Sequence, residues 1–139
     1  MAQINQLAGT FLLDIPVHNY STTTDLAEGV AVILDTANPG TANAAPGVTL
    51  PASDAKAFGF LTSKIPFGKS GVCRVQGVAV AIPTVGSTIA VGDVLMTDSS
   101  GFVKPQTATL SQIGIALAGV TTAVAADRVL VLIDRAKNA

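Results

Sequence analysis

The fold is decided by residues 71–82, which have the sequence Gly-Val-Cys-Arg-Val-Gln-Gly-Val-Ala-Val-Ala-Ile. The stretch is rich in β-branched residues, which favour strands, and polar residues interrupt it in a partly alternating way. It therefore predicts a strand with one wetter face. Outward from it, the same pattern recurs between Gly, Pro, Asp and Ser residues that mark turns. The further predicted strands are 11–17, 30–34, 58–65, 93–97, 113–118 and 128–133.

The segments between these strands are short and rich in turn residues. Asp98-Ser99-Ser100-Gly101 is typical of a tight turn, so it predicts a hairpin that joins 93–97 to 102–104. No stretch has the sustained apolar period of an amphipathic helix. Short strands with frequent turns predict an all-β fold. We expect a single small β-sandwich or barrel-like domain, either jelly-roll or tulip-like, with an extended N-terminal arm.

The arm is predicted at residues 1–24, ahead of a β domain at 25–139. Residues 1–24 begin polar, continue with an apolar run and end rich in Ser and Thr. Pro16 cannot donate a ladder hydrogen bond, so this run predicts an edge or an extended linker. An exposed apolar arm would favour aggregation, and we therefore expect it to dock on a sister subunit or another protein. The predicted partner-binding residues are Phe11, Leu12, Leu13, Ile15, Val17 and Tyr20.

The composition favours a protein that is buried against partners. Of the 139 residues, 49% are hydrophobic and only 12% are charged, about half the usual charged share. A surface with so little charge is expected to be covered in part by other proteins. The net charge of −1 and the lack of a basic run argue against direct binding of nucleic acid. We also find no signal peptide and no membrane span, so we expect synthesis in the cytoplasm.

Two features of the closing and central segments leave alternatives open. In 128–133, apolar residues occupy both faces of the predicted strand, which indicates burial on both sides by sheet packing or by a partner. The loop at 38–47 is rich in Ala, Asn, Gly and Pro, and is expected to be mobile or to contact a partner.

Catalytic motifs are not found, and we predict that the protein is not an enzyme. His18 is the only histidine and Cys73 the only cysteine, so neither a zinc site nor a catalytic triad is favoured. Gly68-Lys69-Ser70 lacks the first glycine of a P-loop, which would fall at Ser63. Four aspartates flank predicted strands and are best explained as turn caps. We therefore expect no catalytic residue, no cofactor and no metal; the four aspartates are Asp93, Asp98, Asp127 and Asp134.

An internal similarity links the two halves of the chain. Residues 29–35 resemble 92–98, 58–61 resemble 113–116, and 71–76 resemble 128–133, in the same order. The similarity fits either a duplicated β unit or the general appearance of Gly-rich β sequences.

The order of four segments resembles the capsid cement (decoration) proteins of tailed bacteriophages. In that family a Gly-Asp-apolar strand, an Asp-x-x-Gly hairpin, an Ile-Gly-Ile-Ala strand and a closing aliphatic strand recur. The resemblance extends over about 29–134, and only the order of the pieces makes it specific. Here the pieces are Val91-Gly92-Asp93-Val94-Leu95, Asp98-Ser99-Ser100-Gly101-Phe102-Val103, Ile113-Gly114-Ile115-Ala116-Leu117 and Val129-Leu130-Val131-Leu132-Ile133.

The resemblance implies a structural virion protein on the outer surface of the capsid. Such a protein would bind the major capsid protein, stabilise contacts between its subunits, and associate with itself as a homotrimer or, failing that, a homodimer. The main alternative is a receptor-binding or adhesin-type β module, although the 4% of aromatic residues speaks against it. A lipoyl or biotinyl carrier is a further alternative, but 97–101 holds no lysine to modify.

Overall fold

A computed structural model of the chain describes residues 12–51, 56–107 and 111–134. These residues form ten strands, and no helix occurs among them. The strands are β1 (Leu13–His18), β2 (Ala31–Leu34), β3 (Val48–Thr49), β4 (Gly59–Leu61), β5 (Ser70–Gln76), β6 (Val78–Ala81), β7 (Val94–Thr97), β8 (Val103–Pro105), β9 (Gly114–Ala116) and β10 (Val129–Ile133).

The ten strands form two five-stranded antiparallel sheets. Their orders are β1-β5-β4-β2-β3 and β6-β10-β9-β7-β8. The predicted small all-β domain is confirmed. The predicted hairpin is confirmed as well, because Thr97 of β7 pairs with Val103 of β8 and the Gly101 amide donates to the Asp98 carbonyl across the turn.

Two strand predictions differ from the structure. The stretch 71–82 is two strands rather than one, because Gly77 takes a φ of 101° and redirects the chain from one sheet into the other. The short strand β3 lies at the end of the predicted loop, where Val48 pairs with Leu34. A two-residue strand offers too few positions for an alternating pattern to be recognised.

The two sheets have the same topology. If β1 to β5 are matched in order with β6 to β10, the two strand orders become identical. We call residues 12–76 unit 1 and residues 78–134 unit 2. The pairing register agrees as well: Leu61 pairs with Cys73 in unit 1, and Ala116 pairs with Val131 at the same place in unit 2.

Hydrogen bonds outside the ladders repeat in the same way. In unit 1, Leu26 and Ile65 exchange backbone hydrogen bonds of 2.9 and 2.8 Å. In unit 2, Ile89 and Val120 exchange two of 2.8 Å. The chain is therefore a structural repeat, which supports the explanation of the internal similarity as a duplicated β unit. The strand-pairing register corrects one detail of the sequence comparison: residues 70–75, rather than 71–76, match residues 128–133.

Two glycines at matching positions allow the strands to approach closely. A Cβ atom on Gly59 would lie 2.3 Å from the Arg74 carbonyl oxygen, and one on Gly114 would lie 2.4 Å from that of Leu132. Both distances are far below van der Waals contact. Glycine is therefore needed at the same point of both units.

Each sheet has an inner face that lies on the core of its own unit and an outer face that points away from it. The outer face of unit 1 contributes Ala31 and Phe60 to the core of unit 2, and neither has exposed surface. Ile82 of unit 2 is in turn part of the core of unit 1. The two units therefore pack on each other as well as being joined through Gly77.

The predicted arm is partly a strand of unit 1. β1 pairs along its length with β5, for example Ile15 with Cys73 and Val17 with Gly71. Residues 13–18 therefore belong to the β domain, and the predicted boundary at residue 24 is wrong for this segment. The prediction that this run forms an edge is confirmed, because β1 is the outermost strand of its sheet.

Candidate partner-binding surfaces

The residues predicted to bind a partner lie in different environments. Leu12, Leu13 and Tyr20 are exposed, with relative accessibilities of 40%, 49% and 37%. Phe11 lies outside the described residues. The structure places the exposed members on and beside the edge strand β1, and their role in binding a partner stays a prediction.

Val17 is the member of this set that the structure excludes. Its side chain has no exposed surface and belongs to the core of unit 1, with Cys73 and Leu61. Ile15 is half-buried and packs against the same cluster. The alternation of a strand explains this result, because Ile15 and Val17 share the face of β1 that lies on the core of unit 1, whereas a register shift between Leu13 and Asp14 interrupts the alternation before them.

His18 is held by neighbours at the end of β1. It faces Ser70 of β5 in the register, and His18 Nδ1 lies 2.7 Å from Ser70 Oγ. Its ring lies 4.3 Å from the Tyr20 ring, and the Tyr20 hydroxyl donates to the Ala45 carbonyl at 3.3 Å. A serine thus lies next to the sole histidine, which the sequence did not reveal. Within the described ranges this histidine forms no ion pair with a carboxylate, so the geometry is that of a cross-strand pair rather than of a triad.

Unit 2 has an exposed aliphatic face, which sequence reasoning found only in part. Val129 and Val131 point inward and are buried, whereas Leu130 and Leu132 point outward at 42% and 38% exposure. The closing strand is therefore core on one face only. Neighbouring strands add further outward aliphatic residues, because Leu130 pairs with Val80 and Leu132 pairs with both Val78 and Ile115. We call this surface the aliphatic face; its members are Val78, Val80, Val94, Ile115, Leu117, Leu130 and Leu132.

The matching surface of unit 1 is charged where unit 2 is aliphatic. Arg74 and Asp14 form a cross-strand pair at the positions of Leu132 and Val78. The guanidinium donates to both carboxylate oxygens, from Nε at 2.8 Å and from Nη2 at 3.0 Å. These hydrogen bonds, helped by the positive charge, lower the pKa of Asp14, and the carboxylate raises the pKa of Arg74 in turn. A bidentate pair of this kind fixes both side chains.

The loop at 38–47 is braced by hydrogen bonds. Asp35 accepts hydrogen bonds from the Ala37 amide and from Asn38 Nδ2, and the Gly47 amide donates to the Asn38 carbonyl. A groove of about 270 Å³ lies beside it, next to the exposed Leu34. The loop thus has a defined shape that a partner could contact.

Three aspartates that could have formed a chemical site instead cap turns. Asp93 accepts from the Ala90 amide, Asp127 from the Val124 amide, and Asp98 from the Ser100 and Phe102 amides. Within the three described ranges, no three residues among His, Cys, Asp and Glu are grouped to hold a metal ion. The same ranges contain no helix long and apolar enough to cross a membrane.

Fold and surface together define an all-β protein with a repeated unit and an exposed aliphatic face. The family model of phage cement proteins matches residues 17–133. The chain therefore belongs to the phage cement protein family and is a structural protein associated with the phage capsid. The resemblance seen in the sequence is confirmed.

One solved structure illustrates how the fold recurs. It is the N base of the head fiber gp8.5 of bacteriophage phi29, which is similar with a TM-score of 0.65 at 16% sequence identity. The similarity covers 89% of this chain and 95% of that chain. At this identity the likeness shows a shared fold. No curated protein matches the chain in sequence.

Proposed function

We propose that the protein binds the outer surface of the assembled capsid and stabilises contacts between subunits of the major capsid protein. The observation that carries this proposal is the family match over 17–133, which includes nine of the ten strands completely. The composition supports it, since 49% hydrophobic and 12% charged residues suit a protein that works while covered by others. Many copies on one shell would add modest individual affinities into firm attachment.

The partners we propose are the major capsid protein and further copies of this chain, as a homotrimer or, as the second choice, a homodimer. For the capsid, the contacts proposed are two exposed side chains at opposite ends of β1: Leu12, which precedes the strand, and Tyr20, which lies beside the braced loop. Both side chains are large and lie outside the two cores. Because Leu12 is 40% and Tyr20 37% exposed, burying what remains on the shell would contribute roughly 0.6–1.2 kcal/mol for each side chain, before the cost of ordering.

The test is reconstitution on capsids that lack this protein. Adding the purified protein should place it on the outside of the shell, visible by electron microscopy, and should raise the temperature at which the shell opens. The variant with Leu12→Asp and Tyr20→Ala should bind at least about tenfold more weakly. Thr23→Asp is the matched control, because this exposed residue lies on the same segment and adds the same charge. Full binding by the double variant would show that Leu12 and Tyr20 do not contact the capsid. Unchanged stability of the shell would show that the protein does not stabilise it.

The alternative is a receptor-binding or adhesin-type module. The observation in its favour is the fold shared with a phage head fiber base. Purified protein should then bind host cells directly and should compete with phage adsorption. Saturable cell binding without any binding to capsids would favour this alternative over the cement function.

The absence of catalysis remains a prediction, as does synthesis in the host cytoplasm. If His18→Ala removed a measured turnover while leaving folding and assembly intact, the non-enzymatic interpretation would have to be abandoned. We expect instead only a small loss of stability, because His18 forms a hydrogen bond with Ser70 and a tilted ring contact with Tyr20 at an exposed strand end.

A further inference from the structure

We propose that the aliphatic face of unit 2 binds unit 1 of a second copy of this chain, head to tail, in the same way that unit 2 covers unit 1 within one chain. The proposal deepens the self-association proposed above by naming its surface. It is independent of the surface that attaches to the capsid, and its test is made first on the free protein and then on decorated capsids.

The contact between unit 1 and unit 2 within one chain is the model for the proposed contact between two copies. On the outer face of unit 1, Ala31 and Phe60 are completely buried in the core of unit 2. The Ala31 amide donates to the Gly101 carbonyl at 2.8 Å, and Arg74 Nη1 donates to the Val78 carbonyl at 3.0 Å. The outer face of unit 1 is thus sealed around Phe60 by the first strand and the 98–101 turn of unit 2.

The matching positions of unit 2 have no such cover in the single chain. The register places Val94 where Ala31 lies and Ile115 where Phe60 lies, and both keep partly exposed surface. Leu132, at the position of Arg74, is 38% exposed. A contiguous aliphatic surface of this kind marks an interaction site.

The repeat also identifies the surface that would cover it. Phe60 lines a small cleft with Ala79 and Val80 of β6. The residues of β1 that match Ala79 and Val80 are Ile15 and Pro16, because Ile15 faces Cys73 where Ala79 faces Val131. β1 is an edge strand, as β6 is, and offers apolar side chains.

A second copy fits this face better than a protein of another kind. The chain already buries the matching face of unit 1 with unit 2, and a second copy offers the equivalent edge strand, β1, in the same topology. The two surfaces, on β9 and on β1, are different parts of the chain, which makes the contact heterologous. Such contacts form rings if the rotation closes. Leu130 should remain at the rim, because its counterpart Val72 keeps 38% exposure although unit 2 covers Phe60 nearby.

The test is a mixed cross-linking experiment with two single-site variants, Ile115→Cys and Ile15→Cys. A short bifunctional thiol reagent should link the two variants when they are mixed, and should link neither variant to itself. Wild-type protein is the control for Cys73, which is buried. The experiment is carried out on the free protein and repeated on decorated capsids. Linking of Ile115→Cys to itself would show a two-fold contact and would overturn the proposal, as would no linking in either setting.

A second measurement covers the case in which a cysteine variant fails to fold. Leu132→Asp should weaken self-association by more than about tenfold in sedimentation equilibrium, with the circular dichroism of a β protein retained. Leu130→Asp, two residues away on the same face, should self-associate nearly as wild type does. If both variants associate normally, or if Leu130→Asp dissociates as fully as Leu132→Asp, the contact does not repeat the internal one and the proposal fails.

Discussion

The two units of the chain share a topology and differ in their outer faces. Unit 1 carries a buried Phe60 and an exposed Asp14–Arg74 pair on that face, whereas unit 2 carries Ile115, Val78 and Leu132 at the same positions. Their inner faces are similar: Cys73 and Val131 match, and both are fully buried. The buried residues of the inner faces therefore maintain the topology that the two units share. The residues of the outer faces differ, and they determine what each unit contacts.

The largest effect is expected from charges placed on the two faces of β10. Val131→Asp should destabilise the protein by about 3–5 kcal/mol, because an unpaired charge would be buried in the core of unit 2. Leu130→Asp should leave the fold stable, since this side chain is 42% exposed. Chemical denaturation of both variants, monitored by circular dichroism, measures the difference. Equal free energies of unfolding for the two variants would mean that the inner and outer faces of β10 have been assigned incorrectly.

The next effect concerns the glycines that the units share. Gly59→Ala and Gly114→Ala should each cost about 1–3 kcal/mol, because the added methyl group would lie against a carbonyl oxygen of the next strand. Thermal unfolding of the two variants compares the units directly. Gly86→Ala is a control for the added methyl group, because no described residue outside its own chain neighbours lies within 4 Å of the place that this group would take. The φ of 84° at Gly86 adds strain of its own, which the comparison has to include. A harmless substitution in one unit only would show that the strands separate there.

A smaller gain is expected from Thr97, which marks another difference between the units. Thr97 is 2% exposed and its hydroxyl has no hydrogen-bond partner among the residues that the structure describes, whereas the matching Leu34 is 51% exposed. Thr97→Val removes a buried unpaired hydroxyl and should stabilise the protein by about 1 kcal/mol, which raises Tm by a few degrees. Differential scanning calorimetry can resolve this gain. A lower Tm would mean that the hydroxyl is hydrogen-bonded.

The smallest effect is expected from the Asp14–Arg74 pair. The pKa of Asp14 is lowered in the folded protein by the hydrogen bonds and charge of Arg74. The stabilisation is therefore complete above the ordinary pKa of Asp, about 3.9, and is lost as the pH falls through the lowered value. Asp14→Asn should cost about 0.2–1 kcal/mol at neutral pH, and this difference should vanish in acid and shrink in high salt. A difference that persists at low pH would assign the effect to packing instead.

Much of the fold could be predicted because its signals are local. Alternating β-branched residues located most strands, and the turn at 98–101 located a hairpin whose two strands are close in sequence. β1 could be recognised as an edge from Pro16, but not as a strand of this domain. Its partner β5 lies more than fifty residues away, and nothing in either segment alone specifies the pairing.

The candidate surfaces could be predicted in composition but not in position. Low charge indicated covered surface, and 128–133 indicated apolar residues on both faces. The sequence could not say that unit 1 would cover its own Phe60 with unit 2 while Ile115 stayed partly exposed. That difference depends on where the second sheet lies relative to the first, which is a property of tertiary packing.

The buried thiol of Cys73 allows the frequency with which unit 1 opens to be measured. It is the only cysteine and has no exposed surface, so a thiol reagent reacts only after that unit opens. The labelling rate under native conditions therefore reports how often this happens. The double variant Cys73→Val with Val131→Cys exchanges the residues at the two matching positions, so that the labelling rate then reports the opening of unit 2. The two labelling rates would be compared for the free protein and for the protein bound to the shell. A unit whose labelling slows on the shell is one whose opening is prevented by contact with a neighbouring molecule.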